Sequence, residues 1–217
     1  MLTATGIKKN YGSLPVLKGV DLKIEKGSVM AIMGASGAGK STLLHILGTL
    51  DTPDGGKLEI NGTDVFGLSA QALADFRNRS LGFVFQFHNL LPEFTALENV
   101  MIPGLIGKLD PKKVRVKAKE LLDRLNLNHR MEHKPSELSG GEQQRVAVAR
   151  ALINSPVMVF ADEPSGNLDS KNATELHKLF FQLRNDFGQT FVIVTHNLEF
   201  ASMADNKLEI KDGIMMA

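Results

Sequence analysis

Residues 34–41 read Gly34-Ala35-Ser36-Gly37-Ala38-Gly39-Lys40-Ser41, and this G-x-x-x-x-G-K-S spacing constrains the chain more than any other stretch. A polyphosphate must come close to backbone N–H groups, so any side chain beyond a hydrogen or a methyl would obstruct it. The apolar run Val29-Met30-Ala31-Ile32-Met33 precedes the loop, and Thr42-Leu43-Leu44-His45-Ile46-Leu47 has a helical pattern after it. The order is therefore strand, phosphate loop, helix. The helix N-terminus adds unpaired N–H donors and the positive end of its dipole. Lys40 supplies a point charge near the β- and γ-phosphates, and the Ser41 hydroxyl is a ligand for Mg²⁺. The stretch implies a nucleoside triphosphate site without specifying which machine uses it.

The remaining composition narrows the class. A length of 217 residues suits one domain, or one core with a sizeable insertion. Lys and Arg total 25 against 24 Asp and Glu, a net charge of +1, which argues against a nucleic-acid partner held by bulk charge. No stretch approaches the roughly 18 apolar residues of a membrane span, and the opening Met-Leu-Thr-Ala-Thr-Gly does not resemble a secretory signal. The chain is expected to be soluble and not secreted. Zero cysteines rule out disulfides and thiolate metal sites.

Val20, Leu22 and Ile24 alternate with polar neighbours, as in an antiparallel strand, whereas 29–33 is apolar throughout, as in a strand covered on both faces. A mixed sheet is expected. Tyr11, the single tyrosine, is either an ordinary turn aromatic or a ring that stacks on a base; its position does not decide. Pro53-Asp54-Gly55-Gly56 and Asn61-Gly62 bracket a short strand at 57–60. Leu81-Gly82-Phe83-Val84-Phe85 reads as a buried strand ending at Gln86, a polar residue where ligand sites of open α/β sheets concentrate. Residues 87–94 are apolar and aromatic without a period, so they either fold under the core or face a partner. Over 112–125 the apolar Val114, Ala118, Leu121, Leu122 and Leu125 share a helical face; Glu120 and Asp123 dilute the basic charge, which favours a solvated outer face.

Leu138-Ser139-Gly140-Gly141-Glu142 has capping-box spacing and opens a helix whose apolar face continues through Val146, Ala149, Leu152 and Ile153. Glycines in a first turn bare N–H groups for an anion, so this is a second phosphate-facing surface. If it does not reach the chain's own nucleotide, it serves that of a partner. Pro156 is expected to stop this helix, and Val157-Met158-Val159-Phe160-Ala161 then runs into Asp162-Glu163. Adjacent carboxylates at a strand end suit a Mg-nucleotide site, with Asp162 holding Mg²⁺ through water and Glu163 acting as general base. A last buried strand, Phe191-Val192-Ile193-Val194, ends at Thr195-His196, where the histidine is either structural or a contact of the γ-phosphate.

The ordered set of phosphate loop, Gln86, Leu138-Ser139-Gly140-Gly141-Glu142, Asp162-Glu163, Gly166-Asn167-Leu168-Asp169 and His196 resembles the ATP-binding subunits of ABC transporters over essentially the whole chain. The resemblance implies an α/β P-loop NTPase fold in a single domain spanning 1–217, with a mixed β-sheet and an N-terminal antiparallel β region. Its core would be 1–86 and 154–217, with a helical subdomain at 87–153. It implies ATP and Mg²⁺ as ligands. Tyr11, the phosphate loop with Thr42, and Ser139, Gly140, Gly141 and Glu142 would bind nucleotide. Ser41, Gln86 and Asp162 would serve the metal, and Glu163, His196 and Gln86 the hydrolysis. Asp169 would lie in a loop that crosses a head-to-tail homodimer closed by ATP, and integral membrane permease subunits would be the partners. Within the family, 85–100 and 135–139 look most like the ATPases of lipoprotein-releasing systems at the cytoplasmic face of the bacterial inner membrane. Those of macrolide or peptide efflux pumps and of the cell-division complex are close cousins, and ABC ATPases acting on DNA or ribosomes fit less well.

Overall fold

The computed structural model describes residues 1–216. In chain order the elements are β1 (Leu2–Tyr11), β2 (Leu14–Ile24), β3 (Val29–Met33), α1 (Lys40–Leu47), β4 (Gly55–Ile60), β5 (Thr63–Asp64), α2 (Ala70–Ser80), β6 (Leu81–Phe85) and α3 (Ala96–Ile106). They continue with α4 (Pro111–Arg124), α5 (Gly140–Leu152), β7 (Met158–Asp162), α6 (Ser170–Phe187), β8 (Thr190–Val194), α7 (Leu198–Met203), β9 (Asn206–Lys211) and β10 (Ile214–Met216). The chain divides into two compact units, one of Met1–Arg77 with Gln182–Ala217 and one of Asn78–Phe181.

In the first unit, β2, β1, β4 and β5 form an antiparallel sheet in that order. Leu2, Ala4 and Ile7 of β1 are buried, but the pairing with β2 shifts between Ala4 and Ile7, so the strict alternation that marks a strand in sequence is interrupted. Gly55 and Gly56 were expected in a turn; instead they belong to β4, and Gly55 pairs with Lys8 of β1. A Cβ on Gly56 would lie 2.5 Å from the Gly6 carbonyl oxygen, so the glycine admits a close backbone approach rather than a reversal. β3 is flanked by β8 and β9, both parallel to it, and β10 pairs antiparallel with β9. The mixed sheet read from the sequence is present here. Val29, Ala31 and Ile32 are fully buried, as their uninterrupted apolar run requires.

The second unit pairs β6 parallel to β7 and adds helices α3, α4 and α5. Helix α4 starts at Asp110, whose carboxylate accepts the Lys112 and Lys113 N–H groups at 2.8 and 3.0 Å. It buries Val114, Ala118 and Leu122 and leaves Lys113, Lys119 and Arg124 exposed, a solvated basic face. Helix α5 ends at Leu152, ahead of Pro156, because Ser155 takes a left-handed conformation and its N–H returns to the Leu152 carbonyl at 2.9 Å. Helix α3, which the apolar period alone does not reveal, contains Pro103 and begins at a capping box: Thr95 Oγ1 accepts the Glu98 N–H while Glu98 accepts the Thr95 N–H.

Phe160 of β7 is 1% exposed and its ring stacks 5.9 Å from that of Phe83 on β6. Replacing it by alanine removes its buried area and leaves a cavity. Phe160→Ala is expected to lower unfolding free energy by about 3–5 kcal/mol, read from denaturant titration.

Candidate functional site

In the first unit the phosphate loop leaves β3 between β8 and β9. The parallel pair Ile32 and Val194 sets Gly34 level with Thr195 and His196, so the exposed His196 and the loop emerge at the same end of adjacent strands. Gly34 has φ 148°, and a Cβ there would stand 2.2 Å from the Ile210 carbonyl oxygen of β9. Only glycine lets the loop turn away at this point. The turn between β9 and β10 braces the loop further, since Gly213 donates to the Ala38 carbonyl at 3.2 Å and accepts the Lys18 N–H at 2.9 Å. Ala35, Ser36 and Gly37 remain exposed at the crest, as does Ser41. Gly39 caps α1, and Lys40 folds back so that Nζ donates to the Gly34 and Ala35 carbonyls at 2.9 Å each. These are small residues, bare amides and one ammonium on a crest that an anion reaches freely.

Tyr11 ends β1 with its ring half exposed. Its phenol donates to Asp51 Oδ2 at 2.7 Å, and the bond, together with burial, pushes the phenol pKa up.

In the second unit Phe85 pairs with Asp162, which brings Gln86, Asp162 and Glu163 to one end of β6 and β7. All three are partly buried. Glu163 takes φ 43°, an uncommon conformation for a residue other than glycine, and its carbonyl accepts the Gly166 N–H at 3.0 Å. Gln86 and Asn167 exchange two bonds: Gln86 Nε2 donates to Asn167 Oδ1 at 3.1 Å, and Asn167 Nδ2 donates to the Gln86 carbonyl at 3.2 Å. The Asp169 carboxylate accepts the N–H and the amide of Asn172, which hold it below the usual carboxylate range.

Ser139 and Glu142 form the capping box expected at α5, with Ser139 Oγ accepting the Glu142 N–H at 3.3 Å and Glu142 Oε2 accepting the Ser139 N–H at 2.8 Å. The box leaves the Gly140 and Gly141 amides to the helix N-terminus, and a Cβ on Gly141 would meet Asn172 Oδ1 at 2.5 Å. Arg130, which sequence reasoning did not single out, donates to Glu142 Oε1 at 2.9 Å. Burial opposes the ionised form of Glu142, but the Ser139 and Arg130 bonds outweigh it and hold the carboxyl below the ordinary glutamate range.

Residues 87–94 adopt no regular element. The fully buried Asn99 of α3 pins them: its Nδ2 donates to the Leu91 and Phe94 carbonyls at 3.1 Å each, and its Oδ1 accepts the Leu91 N–H at 2.8 Å. Arg150 of α5 donates to the carbonyls of His88 and Asn89, both in left-handed conformations. Phe87 is left 73% exposed, with Leu91 and Phe94 exposed beside it in sequence. Of the two alternatives the sequence left open, the outward-facing patch is the one observed.

A phosphate loop at the exit of a buried parallel strand, a capped Gly-Gly helix start and a carboxylate pair at a strand end define an ATP-binding cassette. The family model described as ABC transporter matches residues 17–166, and the chain belongs to that family. The chain is 57% identical over 216 residues to the lipoprotein-releasing system ATP-binding protein LolD of Cytophaga hutchinsonii, covering 100% of this chain and 99% of that one. It is 59% identical over 213 residues to LolD of Bacteroides fragilis, covering 98% and 99%. Among solved structures it is similar to the dimeric post-hydrolysis state of the ATP-binding cassette MJ0796 bound to ADP and Pi, with TM-score 0.90 and 38% identity over 100% of this chain and 97% of that one. It is also similar to cbiO1 from Clostridium perfringens, with TM-score 0.91 and 27% identity over 100% and 86%.

Ser139→Ala removes the cap of α5 and is expected to cost about 1 kcal/mol of stability, measured by thermal denaturation. Because the folded chain holds Glu142 below its unfolded pKa, its charge contributes fully above the ordinary glutamate range, and the contribution is lost as pH falls from that range through the lower folded-state value. The stability gap between the natural chain and Glu142→Gln is therefore expected at neutral pH and should close in acid.

Proposed function

We propose that this chain is the ATP-hydrolysing subunit of a lipoprotein-releasing ABC transporter, peripheral at the cytoplasmic face of the bacterial inner membrane. The observation that carries the reading is the set of functional groups at strand ends, phosphate loop and His196 in one unit and Gln86, Asp162 and Glu163 in the other, in a chain more than half identical to LolD proteins.

Each residue then has a role. The amides of Gly34, Ala35, Ser36, Gly37, Ala38 and Gly39 take the phosphate oxygens, and Lys40 exchanges its bonds to the Gly34 and Ala35 carbonyls for the β- and γ-phosphates. Ser41 and Thr42 open α1 beside them. The exposed Ser41 hydroxyl, the Gln86 amide and the Asp162 carboxylate are hard oxygen donors that fit Mg²⁺, an ion held by few protein groups together with phosphate. When bound, Mg²⁺ neutralises charge on the β- and γ-phosphates. Glu163 accepts a proton from the attacking water, and His196 contacts the γ-phosphate. Tyr11 stacks on adenine. Ser139, Gly140, Gly141 and Glu142 offer the α5 N-terminus to the nucleotide of a second copy, in a head-to-tail dimer that ATP closes.

The helical subdomain 87–153 receives the permease, and the exposed Phe87, Leu91 and Phe94 are its docking contacts. Lipoprotein cargo is contacted through the permease, and nucleic acid has no part.

Glu163→Gln is expected to retain ATP binding while steady-state turnover falls by about 10²-fold or more; an unchanged rate would remove Glu163 as the base. Affinity capture from mild-detergent extracts, with Phe94→Glu as the control, tests the partner. Recovery of a lipoprotein-releasing permease by the natural chain and not by the variant supports the reading, while recovery of an efflux or division permease moves the chain to a cousin system.

A further inference from the structure

Tyr11 is not held by its own strand alone. Its phenol donates to Asp51 Oδ2 at 2.7 Å, and Asp51 Oδ1 accepts from Lys9 Nζ at 2.7 Å and from the Thr52 N–H at 2.7 Å. Lys9 Nζ donates again to the Thr52 carbonyl at 2.6 Å and lies over the Tyr11 ring, 5.2 Å from its centroid. The lysine side chain is only 11% exposed. Asp51 is in turn tied to α1, since the Leu50 and Asp51 N–H groups both return to the His45 carbonyl at 2.7 and 3.3 Å. Asp54 clamps the same strand end, accepting the Asn10 N–H at 2.6 Å and donating its own N–H to the Lys8 carbonyl at 2.8 Å. Arg77 fixes the start of the loop through the Thr49 hydroxyl and carbonyl.

Two consequences follow from this arrangement. The ring cannot swing freely about its Cα–Cβ bond, because its far end is bonded to a carboxylate that is itself fixed to the helix that starts at the phosphate loop. One ring face is also occupied by an ammonium, which leaves the other to accept a flat partner. We infer that Lys9 and Asp51 are positioning residues that hold Tyr11 as a one-sided stacking platform and fix its distance from the phosphate loop through α1. The inference rests on the reading of Tyr11 as the adenine contact. Protonation favours the arrangement: the hydrogen bond to Asp51 and burial keep the phenol protonated as a donor. Burial works against the Asp51 carboxylate, but the bonds from Lys9, Tyr11 and Thr52 keep it below the ordinary aspartate range.

A platform acts on the base and not on the phosphates, which separates this role from general support of the fold. Calorimetric titration of the full chain with ATP and with inorganic tripolyphosphate reads the two ends of the ligand separately. Tyr11→Phe removes only the anchoring hydroxyl, and Asp51→Asn removes the charge that holds Lys9. Both are expected to weaken ATP by about three- to tenfold, the worth of one or two hydrogen bonds, and to leave tripolyphosphate unchanged. In steady-state hydrolysis the same variants should raise KM for ATP more than they lower kcat. Equal weakening of both ligands would overturn the inference, because Asp51 would then be shaping the phosphate loop. Unchanged ATP affinity in both variants overturns it as well, provided Tyr11→Ala weakens ATP. If Tyr11→Ala leaves ATP binding untouched, the reading of Tyr11 itself fails and the platform with it. Tyr11→Phe keeps the test sound should Asp51→Asn fold poorly, since it changes a single atom of a half-exposed side chain.

Discussion

Backbone amides hold an anion only where no side chain stands between them and it, and the first unit is packed to keep one such surface open. The loop that follows β3 turns at Gly34 against the Ile210 carbonyl, where a methyl group has no room. The turn between β9 and β10 then grips the loop from behind, with Gly213 bonded to Ala38 on one side and to Lys18 of β2 on the other. Residues from the two ends of the chain thus brace a loop near its start. The crest of Ala35, Ser36 and Gly37 is left to solvent because its own backbone is secured elsewhere.

Parallel pairing has a similar effect in both units. Strands that run the same way end on the same side, so polar residues that follow apolar runs gather there without any local signal between them. In the first unit this aligns the phosphate loop with His196; in the second it aligns Gln86 with Asp162 and Glu163. Burying the strands in hydrocarbon stabilises the sheets, and ending them in carboxylates, amides and imidazole supplies the chemistry. The left-handed Glu163 marks where the second unit accepts backbone strain at such an end.

Helix termini carry the rest. The Ser139 and Glu142 box starts α5 at an exposed Gly140 and a buried Gly141 packed against Asn172, and Arg130 adds an ion pair to Glu142 that the box alone does not need. The other end of α5 carries Arg150, which holds the His88 and Asn89 carbonyls, so one helix joins Ser139 and Glu142 to the apolar segment at 87–94. Asn99 fixes that segment from α3. A stretch without a period becomes ordered because the buried Asn99 and the partly buried Arg150 satisfy its backbone carbonyls.

Sequence by itself determined the elements whose signals are local. The G-x-x-x-x-G-K-S run, the Ser139 to Glu142 spacing, and the apolar strands ending at Gln86, Asp162 and Thr195 are each written within a few neighbouring residues, because capping and strand burial act over that range. The family followed from their order along the chain. Strand β1 was less legible since its bulge breaks the alternation, and the glycines of β4 imitate a turn. Tertiary structure alone decided the partners of isolated polar residues. Lys9, Asp51, Asn99, Arg130 and Arg150 belong to no recurring pattern, and the Tyr11 to Asp51 bond joins positions 40 apart. A hydrogen bond requires an approach of about 3 Å, and only the folded sheets and helices bring such distant groups that close.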